Sequence, residues 1–486
     1  MRICERLQYL IGVGYYTHSI IEHHYSQYIL FGTIILLLVL GYIIEGLRMH
    51  QFPFILGFLV QGIVFLINGS NIVVDIIGLI FTSFSVVLLV LFGEVTFNRS
   101  KAIGPYEVGY KEFKTQKYDN AVSVYYPINK DHHKRMVGRN NVSWLRDGDK
   151  TLLGIAKASG SYGSDKHVSI QVFRHLRKVM MNVVQNGEID VDFYNKPIIP
   201  LVYCHGLSSN RTMHSGTCKD LASSGYMVFI LDHKDGTSSY TYDKDGKENY
   251  YHSRDLAYDY ELRRTQMKIR EQEIEALIDE IYDQEQLLQN QLKFPKQIKL
   301  DLDKFICSGH SFGGITAISV SRADARVKAC FTLDPWLYAY HKEINAGEFF
   351  LEKPYMTCSN ELFHPVCLFE SWNTLKDLHK YTKDQRQENV VFRHAGHLHQ
   401  CDLISLIPME LYVLAGWRPR TGNDQIYQAY SMLCLSFLSR IGFSNNTFDA
   451  TRYEKKLSSM ERQFIRYDIR YGDYELQEYK PPAIKI

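Results

Sequence analysis

Hydrophobic residues in the first part of this chain form three long, almost uninterrupted apolar segments, 28–44, 52–67 and 72–92. As helices, the first and third are long enough to cross about 30 Å of hydrocarbon, while the shorter second segment also fits a re-entrant hairpin. Buried soluble helices are the alternative, but the segments lack the 3.6-residue spacing of amphipathic helices. The pattern predicts a transmembrane region over 28–95, preceded by a juxtamembrane segment, 1–27.

The basic residues around these segments predict an orientation. If all three segments span, one side of the membrane carries more Lys and Arg than the other, and the positive-inside rule places that side in the cytoplasm. The nine cysteines include no CxxC pair, which favours a reducing environment. The sequence therefore predicts an integral membrane protein whose larger part is cytosolic. The basic residues on that side are Arg48, Arg99, Lys101 and Lys111, against Arg2 and Arg6 on the other.

Further along, the apolar runs become short and alternate with polar or helix-forming sequence. Continuous rather than alternating runs are typical of strands covered on both faces, as in a parallel sheet. This pattern predicts an α/β domain over 104–442 and a polar, Tyr-rich tail over 443–486. The predicted strands are 121–126, 197–203, 226–231, 327–333, 365–370 and 389–392.

One long charged stretch, 255–290, has apolar residues at helical spacing. The heptads are not sustained, so a single amphipathic helix on the sheet is favoured over a coiled-coil dimerisation element. The apolar face consists of Ile274, Leu277, Ile278 and Ile281.

The clearest chemical motif is KFICSGHSFGG, which ends an apolar strand and opens a helix. A nucleophilic serine needs such a strand-to-helix corner, where glycines two residues away on each side let the backbones pass closely. Ser311, between Gly309 and Gly313, fits this nucleophile elbow. A plain Gly-rich turn is the alternative, but it does not require the strand before and the helix after.

Serine needs an imidazole to accept its proton and a carboxylate to orient that imidazole. In α/β-hydrolases the chain order is Ser, acid, His. Asp334 ends the next predicted strand in FTLDPW, where the alternative is an ordinary turn Asp before proline. The base can be His394, His397 or His399 of HAGHLHQ, because order alone does not separate them.

An oxyanion hole needs two backbone N–H donors, one from the residue after the nucleophile and one from an earlier strand-to-helix loop. Phe312 and Leu207 occupy these positions. His205 and His310 lie next to them and are interpreted as residues that shape the site. The histidines are not accompanied by carboxylates or cysteines at ligand spacing, so we predict neither a metal nor another cofactor.

Composition narrows the function classes further. With 45% hydrophobic and 22% charged residues in 486, the chain is typical of a folded protein. A net charge of +2 and a pI of about 8.0 argue against a dedicated nucleic-acid binder.

Four motifs in this order resemble the platelet-activating-factor acetylhydrolases of the plasma and intracellular type II kind, over roughly 104–442. They are LVYCHGLSSN, CSGHSFGGITAISV, FTLDPW and HAGHLHQCD. The family consists of α/β-hydrolase serine lipases that cleave phospholipids without calcium. The resemblance implies hydrolysis of the sn-2 ester of phospholipids with short or oxidised acyl chains.

Transferred position by position, the resemblance makes Ser311 the nucleophile and Asp334 the acid. The family's Gly-x-x-His-Gln falls on 396–400 and implies His399 as the base, with His397 as the alternative. Leu207 and Phe312 fall on its oxyanion donors.

Two other functions compete with this one. A carboxylesterase for small soluble esters could use the same scaffold and triad. A non-catalytic, membrane-tethered binding module is the third possibility, and the intact Ser, Asp and His in the expected order argue against it.

Overall fold

The computed structural model divides the chain into two compact units, which are described separately. The first comprises Met1–Thr96, Asp165–Val179 and Leu406–Gly416, and the second contains the remainder. The residues described are 3–21, 26–41, 51–68, 71–92, 102–136, 138–158, 176–177, 179–251, 258–363, 371–393, 395–406, 423–444, 451–461 and 465–469.

The described part of the first unit is mainly helical. Polar side chains are buried between its helices: Gln8 Nε2 donates to Leu37 O at 2.6 Å, and Gln61 Nε2 donates to Asp75 Oδ1 at 3.1 Å. Many large apolar side chains face outward, such as Leu66, which is 77% exposed. The unit therefore combines a partly polar interior with an apolar exterior. Its helices are α1 (Ile3–Ile21), α2 (Ser26–Leu40), α3 (Phe52–Asn68) and α4 (Ile72–Phe92).

The described parts of the three apolar segments are helical as predicted, but these helices do not meet the requirements of membrane spans. In the part of the chain that the structure describes, no helix combines the length and apolar composition needed to cross a bilayer. Helices α2 and α3 have 15 and 17 residues, against about 20 for a span, and α4 carries Asp75 in its first turn. The predictions of a transmembrane region and an integral membrane location are therefore wrong, and the predicted cytosolic side loses its basis.

The second unit contains a sheet of eleven strands in the order β13-β12-β11-β10-β9-β5-β6-β2-β1-β4-β3. These strands are β1 (Glu107–Lys114), β2 (Ala121–Ile128), β3 (Asn141–Ser143), β4 (Met180–Gln185), β5 (Ile199–Cys204), β6 (Tyr226–Leu231), β9 (Ile306–His310), β10 (Ala329–Leu333), β11 (Tyr355–Asn360), β12 (Gln387–Phe392) and β13 (Ile465–Ile469). A separate hairpin is formed by β7 (Tyr240–Tyr242) and β8 (Glu248–Tyr250).

The central strands are parallel. β6, β5, β9, β10, β11 and β12 run in one direction, while β2 and β13 pair antiparallel at either side of this group. Every residue of β5, β6, β9 and β10 is buried, as expected for strands covered on both faces. The predicted α/β-hydrolase architecture is confirmed for this unit.

Helices cover this sheet. The long helix α8 begins after Asp259, whose side chain caps it by accepting from Leu262 N at 3.0 Å. Its predicted apolar face is fully buried in the core that it shares with the sheet. The helices are α5 (Lys130–Met136), α6 (Asp149–Ala158), α7 (Ser215–Ser223), α8 (Tyr260–Tyr282), α9 (Phe312–Ala323), α10 (His341–Asn345), α11 (Ser371–Tyr381), α12 (Asn423–Arg440) and α13 (Thr451–Glu461).

Two elements differ from the prediction. The predicted strand 365–370 lies outside the described residues, and the strand next to β10 is instead β11, at Tyr355–Asn360. The predicted polar tail contributes α13 and also β13, which closes the edge of the sheet beside β12. The sheet thus extends past residue 442.

Candidate active site

Ser311 lies at the junction of β9 and α9 in a strained backbone conformation, with φ 60° and ψ −124°. A Cβ at Gly309 would lie 2.2 Å from Gly313 O, and one at Gly313 would lie 2.0 Å from Cys204 O. Both positions therefore exclude any side chain, as a nucleophile elbow requires. The serine itself remains 8% exposed.

Sheet register places the acid beside the elbow. His310 pairs with Leu333 across β9 and β10, so the next residues, Ser311 and Asp334, leave the sheet together. The Ser311 N–H donates to Leu333 O at 2.9 Å. Carboxyl ends of parallel strands thus bring together the two groups that the sequence predicted at strand ends.

The Asp334 carboxylate is fully buried and accepts three hydrogen bonds. Asn360 N donates to Oδ1 at 2.6 Å and Asn360 Nδ2 to Oδ2 at 2.8 Å, while His397 Nδ1 lies 3.1 Å from Oδ2. Burial raises the pKa of Asp334, and its contacts with His397 and Asn360 oppose that rise.

The two candidate histidines of the last loop have different surroundings. His397 begins the short 3₁₀ turn His397–Gln400 and faces Asp334. The buried His399 turns back on its own loop instead, with Nδ1 3.0 Å from both Gly396 N and Gly396 O. The geometry therefore favours the alternative base, His397, over His399, on which the family motif falls. The third candidate, His394, lies outside the described residues.

Aromatic rings hold His397 on both sides. Its ring lies 4.4 Å from the His310 ring and is stacked on Phe363 at 3.8 Å, centroid to centroid. His310 Nε2 also contacts His397 O at 3.2 Å. Among the described residues, Ser311 Oγ makes no hydrogen bond to His397. In unliganded active sites such a bond often tightens only when substrate is bound.

The loop after β5 lies directly against the nucleophile. A Cβ at Gly206 would be 2.9 Å from Ser311 Cβ, so glycine is needed for this close approach. The Leu207 N–H has no hydrogen-bond partner in the described part of the chain. Phe312 is the first residue of α9, where N–H groups have no intrahelical acceptor. Both predicted oxyanion donors are thus available to a ligand.

Three ligand atoms in this region also lie close enough to hold a metal ion. One atom each from His310, Asp334 and His397 lies within 4.8 Å of the others. Two imidazoles and one carboxylate are a donor set that divalent transition metals accept. The sequence did not predict this grouping, because the three residues come from different strand ends.

Asn360 is the main site residue that the sequence interpretation missed. Besides holding Asp334, its Nδ2 donates to Gly396 O at 3.1 Å, and its Oδ1 accepts from Tyr430 OH of α12. It therefore connects the acid to the turn that carries His397. A polar residue at the carboxyl end of a predicted strand would have been the signal, but β11 was not predicted.

Comparisons with known proteins show which sequences this chain resembles. The sequence profile of the family "Platelet-activating factor acetylhydrolase, isoform II" matches residues 92–455. A platelet-activating factor acetylhydrolase of Cavia porcellus is 25% identical over 324 residues, which cover 63% of this chain and 69% of that protein. A Bos taurus protein of the same name is 32% identical over 161 residues, or 30% of this chain and 36% of its own length.

Solved structures also resemble this chain. The ferulic acid esterase from Streptomyces cinnamoneus has a TM-score of 0.49 and 17% sequence identity, and the match covers 72% of this chain and 95% of the esterase. That similarity is too weak to support an inference about this chain.

Proposed function

Because the chain belongs to the platelet-activating factor acetylhydrolase, isoform II, family, we propose that it removes short or oxidised acyl chains from the sn-2 position of phospholipids. Family membership makes it a serine ester hydrolase. Within the proposal, Ser311 is the nucleophile, Asp334 the acid and His397 the base. The observation that carries this triad is the 3.1 Å contact between His397 Nδ1 and Asp334 Oδ2 beside the elbow.

Acylation follows from these positions. His397 Nε2 takes the proton of Ser311 as Oγ attacks the ester carbonyl, while Asp334 stabilises the imidazolium through Nδ1–H. Negative charge then develops on the carbonyl oxygen, and the N–H groups of Leu207 and Phe312 stabilise it. The bond to the glycerol oxygen breaks, and His397 protonates that oxygen to release a lysophospholipid.

Deacylation repeats the cycle with water. His397 removes a proton from a water molecule, which attacks the acyl-Ser311 carbonyl and forms a second oxyanion in the same hole. Collapse returns the proton to Ser311 and releases the short carboxylic acid. In these steps, side chains and backbone groups of this chain stabilise every charge that develops. The proposal therefore includes hydrolysis without calcium.

Substitution of the nucleophile tests the proposal. Ser311→Ala should lower hydrolysis of a 2-acetyl phospholipid by at least about 10³-fold, because the covalent route is lost. Wild-type protein should gain the mass of one fluorophosphonate adduct on the peptide carrying Ser311, and Ser311→Ala should gain none. If the variant kept a tenth of wild-type activity, Ser311 would not be the nucleophile.

Substrate comparison separates the remaining alternatives. A phospholipase of the proposed kind should prefer 2-acetyl phospholipid to a long-chain diacyl phospholipid, and its rate should rise when the substrate forms micelles. A carboxylesterase for small esters would prefer p-nitrophenyl acetate and would show no rise with micelles. A binding module would not react with the probe.

A further inference from the structure

Hydrogen bonds to its backbone hold the loop that carries Leu207. His205 Nδ1 lies 2.8 Å from Gly206 O, and Ser208 N donates to Thr237 O at 2.8 Å. Gly206 C=O and Leu207 N–H belong to one planar trans peptide and point in opposite directions. Holding the carbonyl on one side therefore directs the Leu207 N–H to the other.

The preceding peptide is held by a buried charge. Arg270 of α8 donates from Nη1 to His205 O at 2.8 Å and from Nε to Asp235 Oδ2 at 2.9 Å. Both side chains of this ion pair are completely buried. Placing such a pair in the core is costly unless its remaining donors are satisfied. Those donors reach the hydroxyls of Thr237 and Thr316.

These contacts join both halves of the oxyanion hole. Thr237 accepts from Arg270 through its side chain and from Ser208 through its backbone, so it supports the loop that carries Leu207. Thr316 lies in α9, the helix that begins with Phe312, and the guanidinium carbon lies 4.8 Å from the centre of the Phe312 ring. The Arg270 guanidinium thus contacts residues that hold both expected oxyanion donors, the N–H groups of Leu207 and Phe312.

We propose that Arg270, held by Asp235, is a positioning residue that fixes the Leu207 and Phe312 N–H groups in the geometry needed to stabilise the oxyanion. This inference rests on the proposed serine hydrolase function. Its role is distinct from that of the triad, because Arg270 acts through the backbone at His205 and through α9. The planar arginine guanidinium holds its N–H donors at fixed angles and can therefore fix several acceptors at once. A lysine ammonium at the end of a flexible chain cannot.

A purely structural ion pair would behave differently from a positioning residue. Loss of a structural pair lowers the melting temperature and leaves the turnover of the folded protein unchanged. Misplaced oxyanion donors lower kcat with little change in KM, because the interaction is made mainly in the transition state. Misplaced donors also weaken the binding of a trifluoromethyl ketone inhibitor, because its tetrahedral adduct with serine carries an oxyanion.

The test compares full-length Arg270→Lys with a matched control, Arg440→Lys. Arg440, the last residue of α12, is partly exposed and pairs with the buried Glu388 near the start of β12, at the opposite end of that strand from the catalytic turn. For Arg270→Lys we expect kcat on a 2-acetyl phospholipid to fall about 10- to 100-fold, below the 10²–10³ of a lost donor. KM should change less than about threefold, and the trifluoromethyl ketone Ki should rise with the loss in kcat. Arg440→Lys should lower the melting temperature and keep kcat within about twofold.

Thr237→Val supplies the same test with a milder change, should Arg270→Lys fail to fold. It removes one acceptor of the guanidinium and should lower kcat about three- to tenfold with a parallel rise in Ki. Folded variants with wild-type Ki overturn the inference, whatever their stability. Failure of the proposed function gives another result: wild-type protein without ester hydrolysis, or hydrolysis that survives Ser311→Ala.

Discussion

At the scale of single residues, the assignment of the base depends on which imidazole reaches Asp334. Two histidines of one short turn point in different directions, and the conformation of that turn decides which of them reaches Asp334. We expect His397→Ala to lower kcat about as much as Ser311→Ala, roughly 10³-fold or more, because triad members act as a unit. His399→Ala should cost less than about tenfold.

Steady-state kinetics on a 2-acetyl phospholipid, with circular dichroism as the check on folding, would measure these two variants. The His399→Ala variant is the matched control, because it removes an imidazole from the same turn. A larger loss for His399→Ala would return the base to the residue on which the family motif falls. Equal losses would mean that the turn as a whole, rather than one imidazole, is needed.

Chain order and motif spacing were sufficient to predict the nucleophile and acid positions, because each lies at the end of an apolar strand. They were not sufficient for the base or for Asn360. His397 and His399 are two residues apart, and the choice between them depends on the conformation of a 3₁₀ turn. Asn360 contacts Asp334 only because β11 lies beside β10, and that pairing is not encoded in any local pattern.

At the scale of elements, α8 carries a buried acid whose ionisation should make stability depend on pH. Burial raises the pKa of Glu273 to about 7, although Asn120 Nδ2 and Lys234 N donate to it. Its unfolded value is about 4.3. A carboxyl whose folded pKa is raised contributes stability that is complete below about pH 4 and lost as pH rises through about 7.

Glu273→Gln lacks this ionisation. Its free energy of unfolding relative to wild type should therefore rise by about 3 kcal/mol between about pH 4 and pH 8. His233, which contacts Glu273 at 2.7 Å, has a pKa lowered by burial; it remains in both proteins, so to first order its contribution cancels in the difference. Urea denaturation at a series of pH values would measure this, and a difference that stays constant with pH would contradict it.

The edge strand β13 supports the strand that leads to the catalytic turn. Ile465 is 2% exposed and pairs with Phe392, the last residue of β12. We expect Ile465→Ala to reduce the free energy of unfolding by about 2 kcal/mol, because the buried side chain is cut back in a packed environment. The exposed Lys455→Ala in α13 is the control and should change it by less than about 0.5 kcal/mol.

Denaturant unfolding monitored by tryptophan fluorescence would compare the two variants. A cost below about 0.5 kcal/mol for Ile465→Ala would mean that β13 does not stabilise the sheet. The sequence carries a signal for this strand, since Ile465, Tyr467 and Ile469 alternate with polar residues. The polar composition of the region as a whole predicts a tail instead.

At the scale of the whole molecule, the sequence predicted the catalytic fold better than it predicted the first unit. Parallel strands buried on both faces leave a continuous apolar pattern that few other structures share. Apolar segments of 15 to 17 helical residues do not distinguish a membrane span from a packed helix. Hydropathy alone also does not show that the polar side chains of Gln8, Gln61 and Asp75 are buried between helices.

The final prediction concerns metal ions, because the candidate metal ligands and the proposed triad use the same groups. Asp334 Oδ2 contacts His397 Nδ1, so a cation bound between them would displace that hydrogen bond and occupy the base. Metal binding and acyl transfer by this triad should therefore compete.

Excess EDTA should leave hydrolysis of a 2-acetyl phospholipid within about twofold of the untreated protein. Added Zn²⁺ should inhibit, with reversal by EDTA. Activity that is lost in chelator and restored by calcium would instead mean that a cation supplies the stabilisation assigned here to the Leu207 and Phe312 N–H groups.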